Sequence, residues 1–344
     1  MPNANYSFLE RTLHRVALGS NTIAEASFDF EQSLFRPAEV GGRHVFVAGL
    51  ARSGSTVLMR RFHASGQFRS LQYSDMPFVL MPGMWRRMRG AGRSGEQQQR
   101  AHGDGLLVDF ESPESLEEVF WRIFTGNRYI RDHYLRPGDM PEDIVERFRT
   151  YVGLILATSD SQRYLSKNNN NILRLDTIRK AFPEVLLLIP FREPLAQADS
   201  LRRQHRRFLE IHQQDKFALQ YMQWLGHHEF GGDHRPFVFD DQPRKWTDPE
   251  QLEYWLESWV QCYRHLLDTA PKQSVFVGYE ALCDAPQENW QTLAKLAQID
   301  AALPETADAL ENKNRPIEAE INGALRQEAA KIYDRLTHRA FRPI

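Results

Sequence analysis

The stretch that most constrains the fold is a short apolar run that ends in a glycine-rich turn and passes directly into a helical pattern. Residues 44–48 are rich in Val and Phe, which is typical of a buried strand in a parallel sheet. The turn at residues 49–56 contains two glycines and three hydroxyl side chains, and apolar residues at helical spacing follow it. A strand, a glycine turn and a helix in this order predict a phosphate site, because the turn amides and the positive helix end point to the same place.

The spacing of the two glycines nearly completes a Walker A motif, G-x-x-x-x-G-K-[ST]. Gly49 and Gly54 stand at the glycine positions, but Ser55 replaces the lysine that would contact the β- and γ-phosphates of ATP. The loop instead carries a cation three residues earlier, at Arg52. This arrangement favours one phosphate with a neighbouring transferred group over a triphosphate with Mg²⁺.

Apolar runs alternate with helical patterns along the rest of the chain. Further strands are predicted at residues 68–71, 163–166, 185–189 and 274–278. The alternation predicts an α/β fold with a three-layer, mostly parallel central sheet, helices on both faces and a P-loop-like phosphate loop. Asp75 follows the second strand, at the sheet edge where ligands of open α/β folds bind.

The pattern also divides the chain into regions. Residues 1–42 predict a helical lead-in with one helix, residues 43–300 the α/β domain, and residues 301–344 a C-terminal helical extension. Within the domain, residues 83–105 are basic and glycine-rich without a clear period, which indicates a flexible excursion. Residues 221–250 form an insertion dense in aromatic side chains.

Composition excludes several classes of protein. With 42% hydrophobic residues, 26% charged residues and a formal net charge of −2, the 344-residue chain has a globular composition and is not a general nucleic-acid binder. A local basic run at residues 202–207 still suits an anionic ligand. Cys262 and Cys283 lack the spacing of a zinc cluster, so a reducing compartment is expected. No apolar run approaches the ~20 residues that span a bilayer, and no signal peptide precedes the domain, so the sequence predicts a cytoplasmic protein.

The glycine turn resembles the 5′-phosphosulfate loop of sulfotransferases that use PAPS (3′-phosphoadenosine 5′-phosphosulfate), in which [RK]-S-G-[ST]-T follows the first strand. In this chain the motif is Arg52, Ser53, Gly54, Ser55 and Thr56. The resemblance implies that the backbone amides of this loop, with its hydroxyls, hold the 5′-phosphate. It also implies that the arginine places positive charge beside the transferred group.

A second element is similar to the R-x-P-x-x-x-x-x-S signature by which this family binds the 3′-phosphate of PAPS. Arg192, Pro194 and Ser200 occupy its fixed positions. The physical argument agrees independently, because an arginine at a strand end can form a forked contact with phosphate. The following helix places Ser200 two turns in, on the face that returns beneath the loop.

Two further elements extend the resemblance, which covers residues 43–300. The run at residues 277–286 looks like the family's V-x-Y-E-x-L-x-x-x-P, which implies that Tyr279 lies by the adenine. Lys167 resembles the lysine that ends a family strand and faces the sulfuryl group. The chain departs from the pattern at Asn169, where cytosolic family members place a catalytic histidine.

Sulfuryl transfer needs an in-line approach, a base near the acceptor, and positive charge on the leaving phosphate. We expect Arg52 and Lys167 to supply the charge, with no metal required, since the strand at residues 185–189 delivers no aspartate of the Walker B kind. Asp75 is the first candidate for the base, with a pKa raised by partial burial. His102, inside the glycine-rich excursion, is the second.

Three functions fit these observations. The first is transfer of a sulfuryl group from PAPS to a hydroxyl or amine of a carbohydrate, a lipid or another small acceptor, which leaves adenosine 3′,5′-bisphosphate. The second is an atypical P-loop kinase or NTPase. The third, motivated by Asn169, is a catalytically inactive nucleotide-binding protein on the same fold.

Overall fold

A computed structural model of the chain describes residues 8–90, 98–99, 107–108, 115–126, 128–306, 311–312, 314–315 and 317–344. The strands are β1 (Val45–Val47), β2 (Phe68–Arg69), β3 (Gln98–Gln99), β4 (Leu107–Val108), β5 (Arg163–Lys167), β6 (Leu186–Phe191) and β7 (Ser274–Gly278). Five of them form the central sheet in the order β2-β5-β1-β6-β7, and every neighbouring pair is parallel. A separate antiparallel pair joins β3 to β4. The prediction of an α/β fold with a parallel sheet is therefore confirmed.

Helices cover the sheet on both faces. They are α1 (Phe8–Gly19), α2 (Asn21–Leu34), α3 (Ser55–Ala64), α4 (Pro82–Arg89), α5 (Glu118–Thr125), α6 (Glu142–Leu156), α7 (Leu175–Ala181), α8 (Pro194–Gln214), α9 (Lys216–Trp224), α10 (Leu252–Thr269), α11 (Tyr279–Asp284), α12 (Pro286–Leu296) and α13 (Gly323–Arg339). Short 3₁₀ segments lie at Tyr73–Asp75, Asn169–Leu173 and Gly231–Asp233.

The first strand shows why the molecule has three layers. Phe46 packs into the larger apolar core with Phe148 of α6. Its neighbours Val45 and Val47 face the opposite core, which contains Leu58 of α3. Alternate residues of a strand point to opposite faces, so one continuous apolar run binds helices on both sides of the sheet.

The register of the sheet brings the ends of its central strands together. Val47, the last residue of β1, lies opposite Lys167, the last residue of β5. Phe191, at the end of β6, lies opposite Gly278, at the end of β7. Because all these strands run in one direction, the loops that follow them share the carboxyl edge of the sheet. Every motif singled out in the sequence follows one of these strands or β2.

Two local features differ from the sequence expectation. The lead-in contains two helices, because Ser20 ends α1 and its side chain accepts a hydrogen bond from Ile23 N at the start of α2. The start of the predicted excursion is the helix α4. Its first amides, Gly83 N and Met84 N, are capped by the Glu31 carboxylate at 2.6 and 3.0 Å. A cap supplied 52 residues away leaves no local signal in the sequence.

The C-terminal residues pack against the domain. The helix α13 contacts α10 and β7. Beyond it, Phe341 N donates a hydrogen bond to Phe276 O at 2.9 Å, and Ile344 N donates one to Ser274 O at 3.1 Å. The last residues of the chain therefore lie along the free side of β7. Among the described helices, none is both long and apolar enough to cross a membrane.

Candidate active site

The loop after β1 is shaped by close backbone packing. A Cβ at Gly49 would lie 2.8 Å from Pro190 O, so the loop can approach β6 only with glycine there. Arg52 and Gly54 both adopt left-handed backbone conformations, with φ of 68° and 85°. Ser53 is buried and donates a hydrogen bond to Leu50 O at 2.8 Å, which closes the turn. The non-glycine left-handed residue costs about 1–2 kcal/mol, and such strain concentrates at ligand sites.

The helix α3 begins directly after this turn. Its N-cap is Gly54, and no side chain among the described residues caps the first turn of α3. The first amides of a helix have no partner within the helix and carry its positive dipole end. Ser55 and Thr56, the first two residues of α3, add hydroxyl groups at the same end. The loop therefore has the backbone of an anion site.

Arg52 connects this loop to α8. Its Nε donates a hydrogen bond to Ser200 Oγ at 3.1 Å. A second bond, from Gln197 Nε2 to Ala51 O at 2.9 Å, lies beside it. Two stretches that sequence analysis singled out separately thus meet, with their polar side chains in contact.

Tyr279 connects the loop to Arg192. A Cβ at Gly54 would lie 2.9 Å from Tyr279 Cδ2, so the ring packs directly on the turn. Another neighbour of the ring is the Arg192 guanidinium, whose Cζ lies 4.8 Å from the ring centroid. Arg192 is 9% exposed, and its Nε donates a hydrogen bond to Asn314 Oδ1 at 2.7 Å. The Tyr279 hydroxyl donates to Glu311 O. The loop after β1, the end of β6 and the start of α11 therefore meet at the Tyr279 ring.

A cavity of about 390 Å³ opens beside Arg192. Its walls come from the end of β6, the first turns of α8 and residues 315 and 317–319. Three arginines, Arg192, Arg203 and Arg315, line it together with the acidic residues Asp199 and Glu318. Of these, Arg203 lies in the basic run that the sequence marked as suited to an anion, whereas Arg315 was missed because no motif contains it.

A second group of polar residues lies at the end of β5. Asn169 Nδ2 donates a hydrogen bond to Glu229 Oε1 at 2.8 Å. Ser115 Oγ donates to Lys167 O at 2.6 Å, and His227 Nε2 donates to Ser115 O at 2.9 Å. These contacts hold the chain around residues 227–229 against the end of β5.

The charges around Glu229 favour its ionised form. Burial alone would raise the pKa of this carboxyl group. The opposing influences are the charge of His227, the hydrogen bonds from Asn169 and from the backbone amide of Glu229 itself, and the charge of Lys167, and together they lower the pKa below its ordinary value. Measured over the whole residue, Glu229 is intermediate between buried and exposed.

A family model described as the sulfotransferase family matches residues 44–302. The chain belongs to the sulfotransferase family. Similar solved structures include a sulfotransferase of Mycobacterium avium, with 15% identity, coverage of 98% of this chain and 79% of that one, and a TM-score of 0.48. A sulfotransferase of Mycobacterium tuberculosis has 11% identity, 98% and 87% coverage and a TM-score of 0.44. One of Alicyclobacillus acidocaldarius has 14% identity, 89% and 98% coverage and a TM-score of 0.38. A search of the curated proteins found no match.

In this sulfotransferase, Asp75 is a weaker candidate for a base than the sequence predicted. The residue is 6% exposed, and both of its carboxylate oxygens accept hydrogen bonds. Oδ1 accepts a hydrogen bond from Arg69 Nη2 at 2.6 Å, and Oδ2 accepts one from Gln72 N at 2.8 Å. The group pairs with a buried arginine and caps its own turn. The other predicted base, His102, lies outside the described residues.

A buried network supports the end of β5 in the sulfotransferase. Glu118 is fully buried and accepts hydrogen bonds from Asn168 Nδ2 at 2.5 Å, from the Tyr129 hydroxyl and from the Arg174 guanidinium. It also packs against Gly226, where a Cβ would lie 2.6 Å from Glu118 Cγ. One side chain thus fixes both the residue after Lys167 and a residue three positions before Glu229. Sequence analysis missed Glu118 because its helical pattern marks only apolar positions.

No group of three or more His, Cys, Asp or Glu side chains is placed to hold a metal ion within the described part of the chain.

Proposed function

We propose that this sulfotransferase moves a sulfuryl group from PAPS to a hydroxyl or amine of a small acceptor, with adenosine 3′,5′-bisphosphate as the second product. The hydrogen bond from Arg52 Nε to Ser200 Oγ carries the proposal, because it joins the loop suited to a 5′-phosphate to the motif suited to a 3′-phosphate. PAPS has both phosphates on one adenosine, so its two recognition elements must lie in one place.

Each binding residue has a role that its position supports. The amides of residues 53–56 and the hydroxyls of Ser55 and Thr56 hold the 5′-phosphate at the start of α3. Arg192 and Ser200 bind the 3′-phosphate, and the Tyr279 ring, between Gly54 and Arg192, borders the nucleoside. Arginine suits this task because its planar fork matches two phosphate oxygens.

The transfer itself depends on charge. Arg52 lies in the phosphate loop and Lys167 ends the neighbouring strand β5, opposite the last residue of β1. Positive groups in these two places stabilise the charge that develops on the leaving phosphate and on the sulfuryl oxygens. Ser55, in place of a Walker lysine, opposes a kinase or NTPase activity.

A thermal-shift experiment with adenosine 3′,5′-bisphosphate tests the proposal. At 100 times its Kd the nucleotide would stabilise the protein by about 2.7 kcal/mol, which corresponds to a rise in Tm of roughly 5 °C or more. Arg192→Ala should abolish the shift. Arg179→Ala, which changes an exposed arginine on α7, should leave it intact. Absence of any shift in the wild-type protein at millimolar nucleotide would refute the proposal.

A further inference from the structure

The geometry points to Glu229 as the general base that accepts the proton of an acceptor hydroxyl, with Asn169 as the residue that positions it. This inference rests on the proposed function and adds a residue to the acceptor side of the same site. No motif of the sequence marks Glu229, which lies in the aromatic insertion, outside every element that resembles the family.

The hydrogen bond between the two residues fixes the orientation of the Asn169 amide. A carboxylate can only accept hydrogen bonds, so the amide nitrogen faces Glu229 Oε1 at 2.8 Å and the amide oxygen faces elsewhere. Asn169 is 7% exposed, and its Oδ1 is buried without a hydrogen-bond partner among the described residues. A buried acceptor without a partner is unfavourable, because it has lost its hydrogen bonds to water. A donor group that enters with the acceptor would satisfy it.

The position of this pair relative to the transferred group follows from the sheet. Asn169 is two residues beyond Lys167, and Lys167 lies opposite the end of β1, from which the phosphate loop departs. The positive charge of Lys167 contributes to the lowered pKa of Glu229. The proposed cation for the sulfuryl group and the proposed base are therefore close enough to interact electrostatically.

The surrounding contacts hold the carboxylate in place. The Asn170 amide nitrogen lies 3.4 Å from Gly226 O, and His227 is anchored through Ser115 to the backbone of Lys167. A base must be held within about 0.5 Å of its productive position. Asp75, by contrast, is a buried residue, and one of its two engaged carboxylate oxygens pairs with the guanidinium of buried Arg69.

The proposed step replaces one oxygen–sulfur bond by another and transfers one proton. The acceptor oxygen forms a new bond to sulfur while the bond from sulfur to the 5′-phosphate oxygen breaks. The electron pair of the broken bond remains on the phosphate oxygen. The hydroxyl proton moves to the Glu229 carboxylate and leaves to solvent after the products depart. A hydroxyl needs such a base, because it becomes acidic only as its oxygen bonds to sulfur.

Turnover of PAPS carrying labelled sulfur, with water and a panel of small alcohols, sugars and phenols as acceptors, tests the role of Glu229. Glu229→Gln should lower the rate by about 10²–10⁴-fold, the usual contribution of a general base. The same variant should bind adenosine 3′,5′-bisphosphate with unchanged Kd. Glu184→Gln, which alters an exposed glutamate at the opposite end of β6, is the matched control and should keep the wild-type rate.

The role of Asn169 has a separate readout. A base must be deprotonated, so activity is lost as pH falls through its pKa. Asn169→Ala removes a hydrogen bond that lowers the pKa of Glu229. The acidic limb of the rate profile should therefore move to higher pH, and a ¹³C NMR titration of the Glu229 carboxyl group should show the same rise. A structural role alone would lower the rate without moving the limb.

The outcomes separate the two proposals. If the wild-type protein fails to bind adenosine 3′,5′-bisphosphate, the proposed function fails. If it binds the nucleotide but Glu229→Gln keeps more than a third of the wild-type rate, only the base assignment fails. Wild-type protein that binds the nucleotide and transfers sulfate to no hydroxyl, water included, would also overturn the base assignment.

Discussion

The proposed nucleotide side and the proposed acceptor side of this site are built in different ways. On the nucleotide side, the loop at residues 49–56 and the start of α8 directly follow their strands, and backbone conformation determines their shape. On the acceptor side, Lys167 and Glu229 come from separate segments, and buried side chains join them. The comparison indicates that the proposed phosphate recognition depends on local backbone, whereas the proposed acceptor chemistry depends on contacts between distant parts of the chain.

Stability is the first property that should distinguish the two sides. Glu118→Ala leaves Arg174 as an unpaired buried charge, since both groups are buried in the present pair. We expect a loss of about 3–5 kcal/mol in the free energy of unfolding, the usual cost of breaking a buried ion pair. Urea denaturation measures it. Arg192→Ala, on the nucleotide side, should cost less than half as much, and equal losses would contradict the comparison.

A glycine pair tests how far the nucleotide side depends on backbone shape. Gly54 and Gly66 have similar left-handed φ values, 85° and 71°, but only Gly54 has a close neighbour, the Tyr279 ring. Gly66→Ala should cost about 1–2 kcal/mol from backbone strain alone and leave nucleotide affinity unchanged. Gly54→Ala should cost more and weaken adenosine 3′,5′-bisphosphate binding at least tenfold by calorimetry. Equal affinities in the two variants would show that the Tyr279 contact is not needed.

The smallest change in stability is expected from Arg52→Gly. Glycine relieves a left-handed φ of 68° but loses the hydrogen bond to Ser200, and each effect is worth about 1 kcal/mol. The free energy of unfolding should therefore change by less than about 1 kcal/mol. Turnover of PAPS should still fall by about 10²-fold or more, because a preorganised charge is removed. Loss of both stability and activity would show that Arg52 mainly stabilises the fold.

The parallel sheet predicted from the sequence is confirmed, for a physical reason. An apolar run, a glycine and a helix start are local signals, and the parallel order places their loops at one edge. The assignment of binding roles to Arg52, Arg192, Ser200 and Tyr279 stays a prediction, as does the cytoplasmic location, although the contacts among these residues support a shared site.

The acceptor side could not be predicted in the same way. Glu229 lies in a segment whose aromatic residues gave no period, and its contact with Asn169 spans 60 positions of the chain. Asp75 followed a strand as expected, but the sequence did not show that Arg69 would take its carboxylate. A charged side chain near a strand end is thus a poor guide to catalysis until its partners are known.

The hydrogen bonds from Arg192 to Asn314 and from Tyr279 to Glu311 have a practical consequence. Both acceptors lie beyond residue 302, where the match to the family model ends. An expression clone trimmed to that boundary would keep every motif of the family and still deprive two of its key side chains of their partners. It would also remove residues 341–344, which form hydrogen bonds along the free side of β7. Boundaries drawn from sequence similarity alone would therefore yield a shorter protein in which the proposed nucleotide site lacks two of its supporting contacts.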